Sequence, residues 1–383
     1  MSKRAVVAFL LLSLVSLLAD VTYEGGRSVS GSFLKHLEAP LVAASLIAVG
    51  EVIAYAFRLV GGALAWRFAS PRAYWAMVFA GYAMNAGIPL LALVADWRLA
   101  LALYLIERAG KGLRTPVRDA LIAELTEGVG RGKAFAAHEV LDQVGAVAGP
   151  LAVSLAMSWS GGSYSVAFGV LLAPFAASLV ALYAAYLAYN TMRSRSAPRA
   201  PAGFESSRPL SARWLAPLLV FAFALGAGFL HWSQASYRLR EAGLEDSEIA
   251  WLYAVAMLSD ALAAVPLGIF FDAVGLRSLI LMPALVLLST LAFSTGSPLL
   301  FAIAWGVAMS SFETMLKAAI AVASAARERP LVYALAYVSL GAGWTLGNLV
   351  MSYAGVSALY ALAVEFLALA ALAVFTAERT RLS

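Results

Sequence analysis

Apolar runs of roughly twenty residues or more recur along the whole chain, separated by short polar breaks, and this pattern limits the possible folds more than any other feature. A helix rises about 1.5 Å per residue, so runs of that length match the roughly 30 Å hydrocarbon core of a bilayer. Hydrophobic residues make up 62% of the 383 positions and charged residues 13%. A water-soluble domain is about half apolar and about a quarter charged, and has nowhere to hide this much hydrocarbon. The expected fold class is an all-α membrane protein. Twelve spans are expected, near 5–34, 39–66, 72–95, 98–125, 133–159, 163–190, 213–239, 246–272, 276–294, 297–325, 329–354 and 355–377.

The formal net charge is +5, yet the bases do not form a nucleic-acid stripe. They sit in short loops between apolar runs. One side carries Lys3, Arg4, Arg67, Arg72, Arg131, Lys133, Arg193, Arg195, Arg199, Arg208, Arg213, Arg277, Arg327, Arg329, Arg379 and Arg381, the other only Lys35, Arg98, Arg238 and Arg240. The positive-inside rule then places both termini in the cytoplasm of a cell-membrane protein. The first apolar run meets Asp20 and Glu24 where a signal peptide would have a small-residue cleavage site, so it is expected to be the first span. Cysteine is absent, and His36, His138 and His231 are too scattered for a local metal motif. No metal or cofactor is expected.

The longest hydrophilic stretch, rich in Arg, Ser and Pro, divides the chain. Residues 1–190 are expected to form one six-helix bundle, 191–212 a cytoplasmic linker and 213–383 a second bundle. The halves also repeat. Gly62-Ala-Leu-Ala-Trp66-Arg67 closes the second span and Gly268-Ile-Phe-Phe-Asp272-Ala273 the eighth, and the same interval carries Glu107 onto Glu313 and Lys111 onto Lys317.

At these residues the chain resembles the major facilitator superfamily, whose members are built from parallel six-helix repeats with a site near the bilayer midplane. Gly268, Asp272, Gly275 and Arg277 are similar to its loop signature, in which the aspartate helps to latch the cytoplasmic side. The N-terminal copy has Trp66 in place of that aspartate and Ala69 for the second glycine. Arg108-Ala-Gly-Lys111-Gly112-Leu-Arg114 resembles the family's arginine motif, with lysine for glutamine. Gly145-Ala-Val-Ala-Gly149-Pro150 resembles the front half of the antiporter motif of drug exporters, without its trailing glycines. The resemblance implies a prokaryotic drug-exporter-like branch of undefined substrate.

Charges inside the spans mark the candidate site, because one at the centre of a spanning helix costs roughly 2.5–3.5 kcal/mol on insertion scales and usually faces a cavity or a partner. Asp20, Glu24 and Arg27 share one face of the first span, which Gly25 and Gly26 interrupt. Glu51, Tyr55 and Arg58 share a face of the second. The fourth carries Glu107, Arg108, Lys111 and Arg114, the fifth His138, Glu139 and Asp142. The C-terminal half is drier, with His231, Gln234, Asp260, Glu313, Lys317, Asn348 and Glu365. Counting from span ends at about 1.5 Å per residue puts Glu51, Glu107, Arg108 and Asp142 near the midplane.

Plainer roles stand beside these. Glu107 and Lys111 also fit a purely structural intrahelical pair, as buried pairs persist without binding anything. Arg114, Arg118 and Asp119 fit interfacial anchors, and His138 an interface residue. Gly145 and Gly149 fit close packing, with Pro150 a bend. Trp97 and Trp159 suit the interface belt, and Trp232, Trp305 and Trp344 the core.

The function expected is a secondary transporter working by alternating access, most simply a proton-coupled exporter of small organic compounds acting as a monomer. An importer or facilitator of a polar or anionic metabolite is the alternative. The chain has no phosphate-binding loop, clustered histidines or Gly-x-Ser-x-Gly elbow, which argues against an ATPase or an enzyme. A non-transporting sensor stays open on sequence grounds.

Overall fold

In hydrocarbon a backbone N–H or C=O has no water to bond, so a spanning segment must satisfy its own hydrogen bonds, which a helix does. The structure, a computed structural model, describes residues 3–68, 70–126, 131–192, 212–325 and 328–382, and among these the regular elements are all helical. The expected linker falls almost entirely outside the described residues.

The long helices are α1 (Lys3–Ser28), α2 (Val49–Phe68), α3 (Pro71–Ala83), α4 (Trp97–Leu125), α5 (Arg131–Ser160), α6 (Leu172–Met192), α7 (Ala212–Gly228), α8 (Trp232–Glu241), α9 (Asp246–Val274), α10 (Leu281–Ser294), α11 (Pro298–Ser311), α12 (Arg329–Ala354) and α13 (Ala358–Leu382). Their starts follow local chemistry. Ser70 caps α3 by accepting from the Ala73 N–H at 3.2 Å, with Pro71 in the first turn. Asp96 caps α4 by accepting from the Arg98 N–H at 2.6 Å.

Ten helical stretches among the described residues are long and apolar enough to cross a membrane. Many of their outward side chains are large and apolar: Val180 is 71% exposed, Leu262 68%, Ile269 65% and Phe366 73%. Helices of this length that point hydrocarbon outward belong in lipid, and the chain is a multi-pass membrane protein.

The helices are less continuous than the apolar runs. The run 39–66 comprises Leu41–Leu46 and then α2, and 72–95 continues past α3 through short turns to Leu93. The run 163–190 comprises Tyr164–Gly169 and α6, and 213–239 comprises α7 and α8. The run 297–325 passes from α11 through a π-helical turn, Phe312–Leu316, to Lys317–Ala323.

The chain forms two compact units. The first is Met1–Glu38, Ile53–Gly203 and Leu244–Ala254, and the second is Ala39–Val52, Phe204–Gly243 and Val255–Ser383. In the first, Trp75, Val78, Leu121, Leu182 and Tyr189 build a core, with the Trp75 ring 5.5 Å from that of Tyr189.

One crossing is built twice. In the first unit a Cβ on Gly145 would run into the Leu17 carbonyl, and one on Gly149 into the Val21 carbonyl. In the second unit Gly343 and Gly347 meet the Phe223 and Ala227 carbonyls in the same way. In both, glycines four apart press one helix onto carbonyls one turn apart on another, as small residues do in lipid. The interval from Glu107 to Glu313 also carries Leu17 onto Phe223 and Val21 onto Ala227.

Candidate functional site

The polar face of α1 turns inward in the first unit. Glu24 is 6% exposed, its Oε2 accepts from the Tyr253 hydroxyl at 2.6 Å, and Arg27 Nη1 lies 3.9 Å from its Oε1. Next to it, the Tyr23 ring receives two cations from α4. The Arg108 guanidinium sits 4.6 Å from the ring centroid and the Lys111 ammonium 3.9 Å, and Lys111 also donates to the Tyr23 hydroxyl. Arg108 Nε donates to Glu107 Oε2 at 2.6 Å, and Glu107 is 1% exposed, with no hydrogen-bond partner at Oε1. Asp20, half-buried one turn before Glu24, lies in the fields of Asp142, Lys111, Glu24 and Arg118.

The polar chain continues along α4 and α5. Arg118 donates to Asp119 at 2.9 Å and to Ser16 Oγ at 3.0 Å, and lies 3.9 Å from Asp142 Oδ2. His138 Nε2 is 3.6 Å from the same oxygen, and its Nδ1 is 3.1 Å from Ser13 Oγ. Arg114 stacks its guanidinium 4.4 Å from the Tyr82 ring and donates to the Gly81 carbonyl at 3.0 Å. Ionisable groups of α1, α4, α5 and the start of α9 thus form two contact groups, one around Tyr23 and Glu24 and one around Arg118 and Asp142, with Asp20 in the fields of both and the cations held by ring faces as much as by carboxylates.

Several expectations change here. Glu107 pairs with its neighbour Arg108, not with Lys111, whose ammonium reaches across to α1. Arg114 is 2% exposed and His138 3%, so both are turned into the protein's interior. Gly145 and Gly149, by contrast, are packing residues as their spacing suggests, with Pro150 inside α5. Glu51 belongs to the second unit and stands in the first turn of α2, just after the tight turn that follows Leu46, with its N–H donating to the Ala48 carbonyl at 3.0 Å. Arg58, further along α2, lies over the Tyr55 ring at 5.0 Å. The aromatic partners Tyr23, Tyr82 and Tyr253 escaped the sequence because each is distant in the chain from the charge it serves. Only the placement of Tyr23 beside Glu24 gave a local sign.

Among the described residues the second unit holds no comparable charge cluster. Glu313 lies in the π turn and Lys317 just after it, half-buried and exposed respectively, and no ion pair joins them. The Tyr337 hydroxyl bonds the Phe312 carbonyl at 2.8 Å. A π turn of this kind often marks a functional position.

The unit's distinctive feature is the joint between α7 and α8. Four successive carbonyls there are each taken by a side chain from a different helix. Tyr360 donates to Ala227 O at 3.2 Å, Thr290 to Gly228 O at 3.1 Å, Asn348 to Phe229 O at 3.0 Å and Trp305 to Leu230 O at 2.8 Å. His231 then caps α8, its ring accepting from the Ser233 N–H at 3.2 Å. Phe229, Trp232, Trp305 and Trp344 pack around the joint, and Gln234 is fully buried with neither amide atom hydrogen-bonded.

In the loop signature, Gly268 and the exposed Asp272 lie inside α9, Gly275 ends the helix with φ +67°, and Arg277 is exposed. A Cβ on Gly268 would meet open space, so close approach is not its role. Among the described residues no group of three or more His, Cys, Asp or Glu is placed to hold a metal ion.

No family model matches the chain. It is 34% identical over 353 residues to an uncharacterized protein of Mycobacterium tuberculosis (strain ATCC 25618 / H37Rv), the match covering 88% of this chain and 84% of that one. A protein of Mycobacterium bovis, also uncharacterized, matches to the same extent. Among solved structures, the peptide transporter POT in complex with sulfate superposes with a TM-score of 0.77 at 15% identity, over 98% of this chain and 95% of that one. A POT family transporter in complex with 5-aminolevulinic acid gives 0.75 at 12%, covering 98% and 96%. The nucleoside transporter NupG gives 0.69 at 16%, covering 96% and 99%. These likenesses show the fold.

Proposed function

We propose that this chain, which belongs to the family of those mycobacterial proteins, is a secondary transporter of small organic compounds that works by alternating access and couples export to protons. The observation that carries the reading is the set of buried ionisable groups on α1 and α4. Ionisable groups in a spanning region are expensive and are by default functional. The fold it shares with peptide and nucleoside transporters supports the same reading. Opening a buried carboxylate to one aqueous side and then the other changes its desolvation and its distance from cations, which links proton binding to the open side. Asp20 is the first candidate carrier, then Glu51, with Glu107 last because its carboxylate is committed to Arg108. Neutralising the carrier is expected to abolish flux driven by a pH gradient while leaving substrate-for-substrate exchange. Asp20→Asn, Glu51→Gln and Glu107→Gln in proteoliposomes test this, with substrates found by thermal-shift screening. Wild-type pH-driven flux in all three would sink the assignment.

A second reading, entry of an anionic metabolite, draws on Lys111, which makes no ion pair among the described residues and whose ammonium bonds the Tyr23 hydroxyl and lies over its ring. The sign of the gradient separates the two. Acid inside the liposome drives uptake by an antiporter, and acid outside drives uptake by a symporter.

The topology proposed is twelve crossings with both termini cytoplasmic. α4, 29 residues long, is excluded from the ten apolar stretches by its charges, and the 49-residue stretch Asp246–Ser294 contains two helices where about twenty residues suffice for one crossing. On the cysteine-free background, Ser160→Cys is expected to react with an impermeant thiol reagent in intact cells and Ser206→Cys to be shielded. The reverse pattern would overturn the orientation.

A further inference from the structure

Glu365, on α13, is 3% exposed, and neither carboxyl oxygen has a hydrogen-bond partner. Its Oε1 lies against Gly228, the last residue of α7, in the space a Cβ there would fill, with Val286 of α10 beside it. The nearby donors are already committed. Thr290 serves the Gly228 carbonyl and Tyr360 the Ala227 carbonyl, so the side chains that fasten the joint leave nothing for this acid.

The elements packed against Glu365 offer no counter-charge. α10 has no charged residue, α7 has only Arg213 near its far end, and α13 has no other before Glu378. Arg277, in the turn before α10, is exposed. Tyr360, one helical turn before Glu365, is the titratable neighbour, and it is a donor to Ala227. An ionised carboxylate with neither partner nor counter-ion in an apolar interior is too costly to keep, and such a group becomes neutral instead. A purely space-filling role would be met by methionine without that constraint.

We propose that Glu365 is a proton-binding site of the second unit, carrying its proton while it lies against the Gly228 end of α7 and releasing it to water when α13 and α7 part. The O–H bond then breaks, the electron pair stays on the carboxylate, and water reaches an anion that the packed joint excludes. This site is separate from the charged set on α1 and α4 and does not depend on the transport reading.

The test uses the full chain in lipid nanodiscs. Infrared absorption is expected to show a protonated carboxylic-acid carbonyl band at neutral pH that disappears in Glu365→Gln and persists in Glu107→Gln. Spin labels at Val220→Cys on α7 and Val374→Cys on α13 are expected to report a longer distance in alkaline buffer, and Glu365→Gln to abolish that response. If Glu365→Gln fails to fold, Glu365→Met serves in its place. In the unmutated chain an apolar carbodiimide, which takes up the acid's proton and is then attacked by the carboxylate oxygen, is expected to modify Glu365 more in acid than in alkali. A band unchanged by the substitution, a pH response that survives it, or carbodiimide modification that spares Glu365 would each overturn the proposal.

Discussion

Gly149→Leu and Gly347→Leu are each expected to remove nearly all folded protein, whereas Gly62→Leu and Gly268→Leu are expected to accumulate and melt like the parent. At Gly149 a Cβ would lie 2.8 Å from the Gly25 amide nitrogen, and at Gly347 it would lie 2.6 Å from the Ala227 carbonyl carbon. The obstacle in both cases is backbone, which cannot rotate aside as a side chain would. Overpacking a tight contact costs about 1–3 kcal/mol when neighbours can yield, and more when they cannot. Leucine adds a whole branched side chain to a contact already closed. At Gly62 and Gly268 nothing lies within 4 Å of the added carbon. The four variants share one chemical change and differ only in the room available. Size-exclusion profiles and thermal unfolding in detergent decide it, and a Gly149→Leu protein with the parent's melting temperature would mean that the crossing is looser than described.

Arg108→Met is expected to lower stability more than the double change Glu107→Gln/Arg108→Met. The single change strips Glu107 of its 2.6 Å partner and leaves a 1% exposed carboxylate whose other oxygen already lacks one. Breaking a buried pair from one side costs about 3–5 kcal/mol, because an uncompensated charge remains, while replacing both members is often close to neutral. Arg108 also covers the Tyr23 ring, so the double variant is expected to recover most of the loss but not all of it. Melting temperatures of the parent, two single and one double variant close the cycle. If the double variant were as unstable as Arg108→Met, the ring contact would outweigh the ion pair.

The membrane class was legible from run length alone, since lipid allows few alternatives to a helix. The inward face of α1 was legible because Asp20, Glu24 and Arg27 follow the helical period. The joint after Gly228 was not. Residues 226–232 read Gly-Ala-Gly-Phe-Leu-His-Trp, apolar enough to continue a span, and the break exists because side chains far along the chain donate to the freed carbonyls. Gly226 and Gly228 were its only local sign. The same holds for Tyr253, whose bond to Glu24 is a long-range event. Gly145 and Gly149 were visible as a small-residue pair, but Gly343 and Gly347 pass as ordinary small residues until the carbonyls they touch are known.

The fastening of that joint also sets an order on biosynthesis. All four donors, Thr290, Trp305, Asn348 and Tyr360, lie later in the chain than the carbonyls they serve. When α7 and α8 leave the ribosome, none of these partners has been made. Each is added as its own helix is inserted, and a carbonyl left open in hydrocarbon is costly until its donor arrives. The break is written near the middle of the chain and completed from its last helix, so Tyr360 is the piece that finishes it.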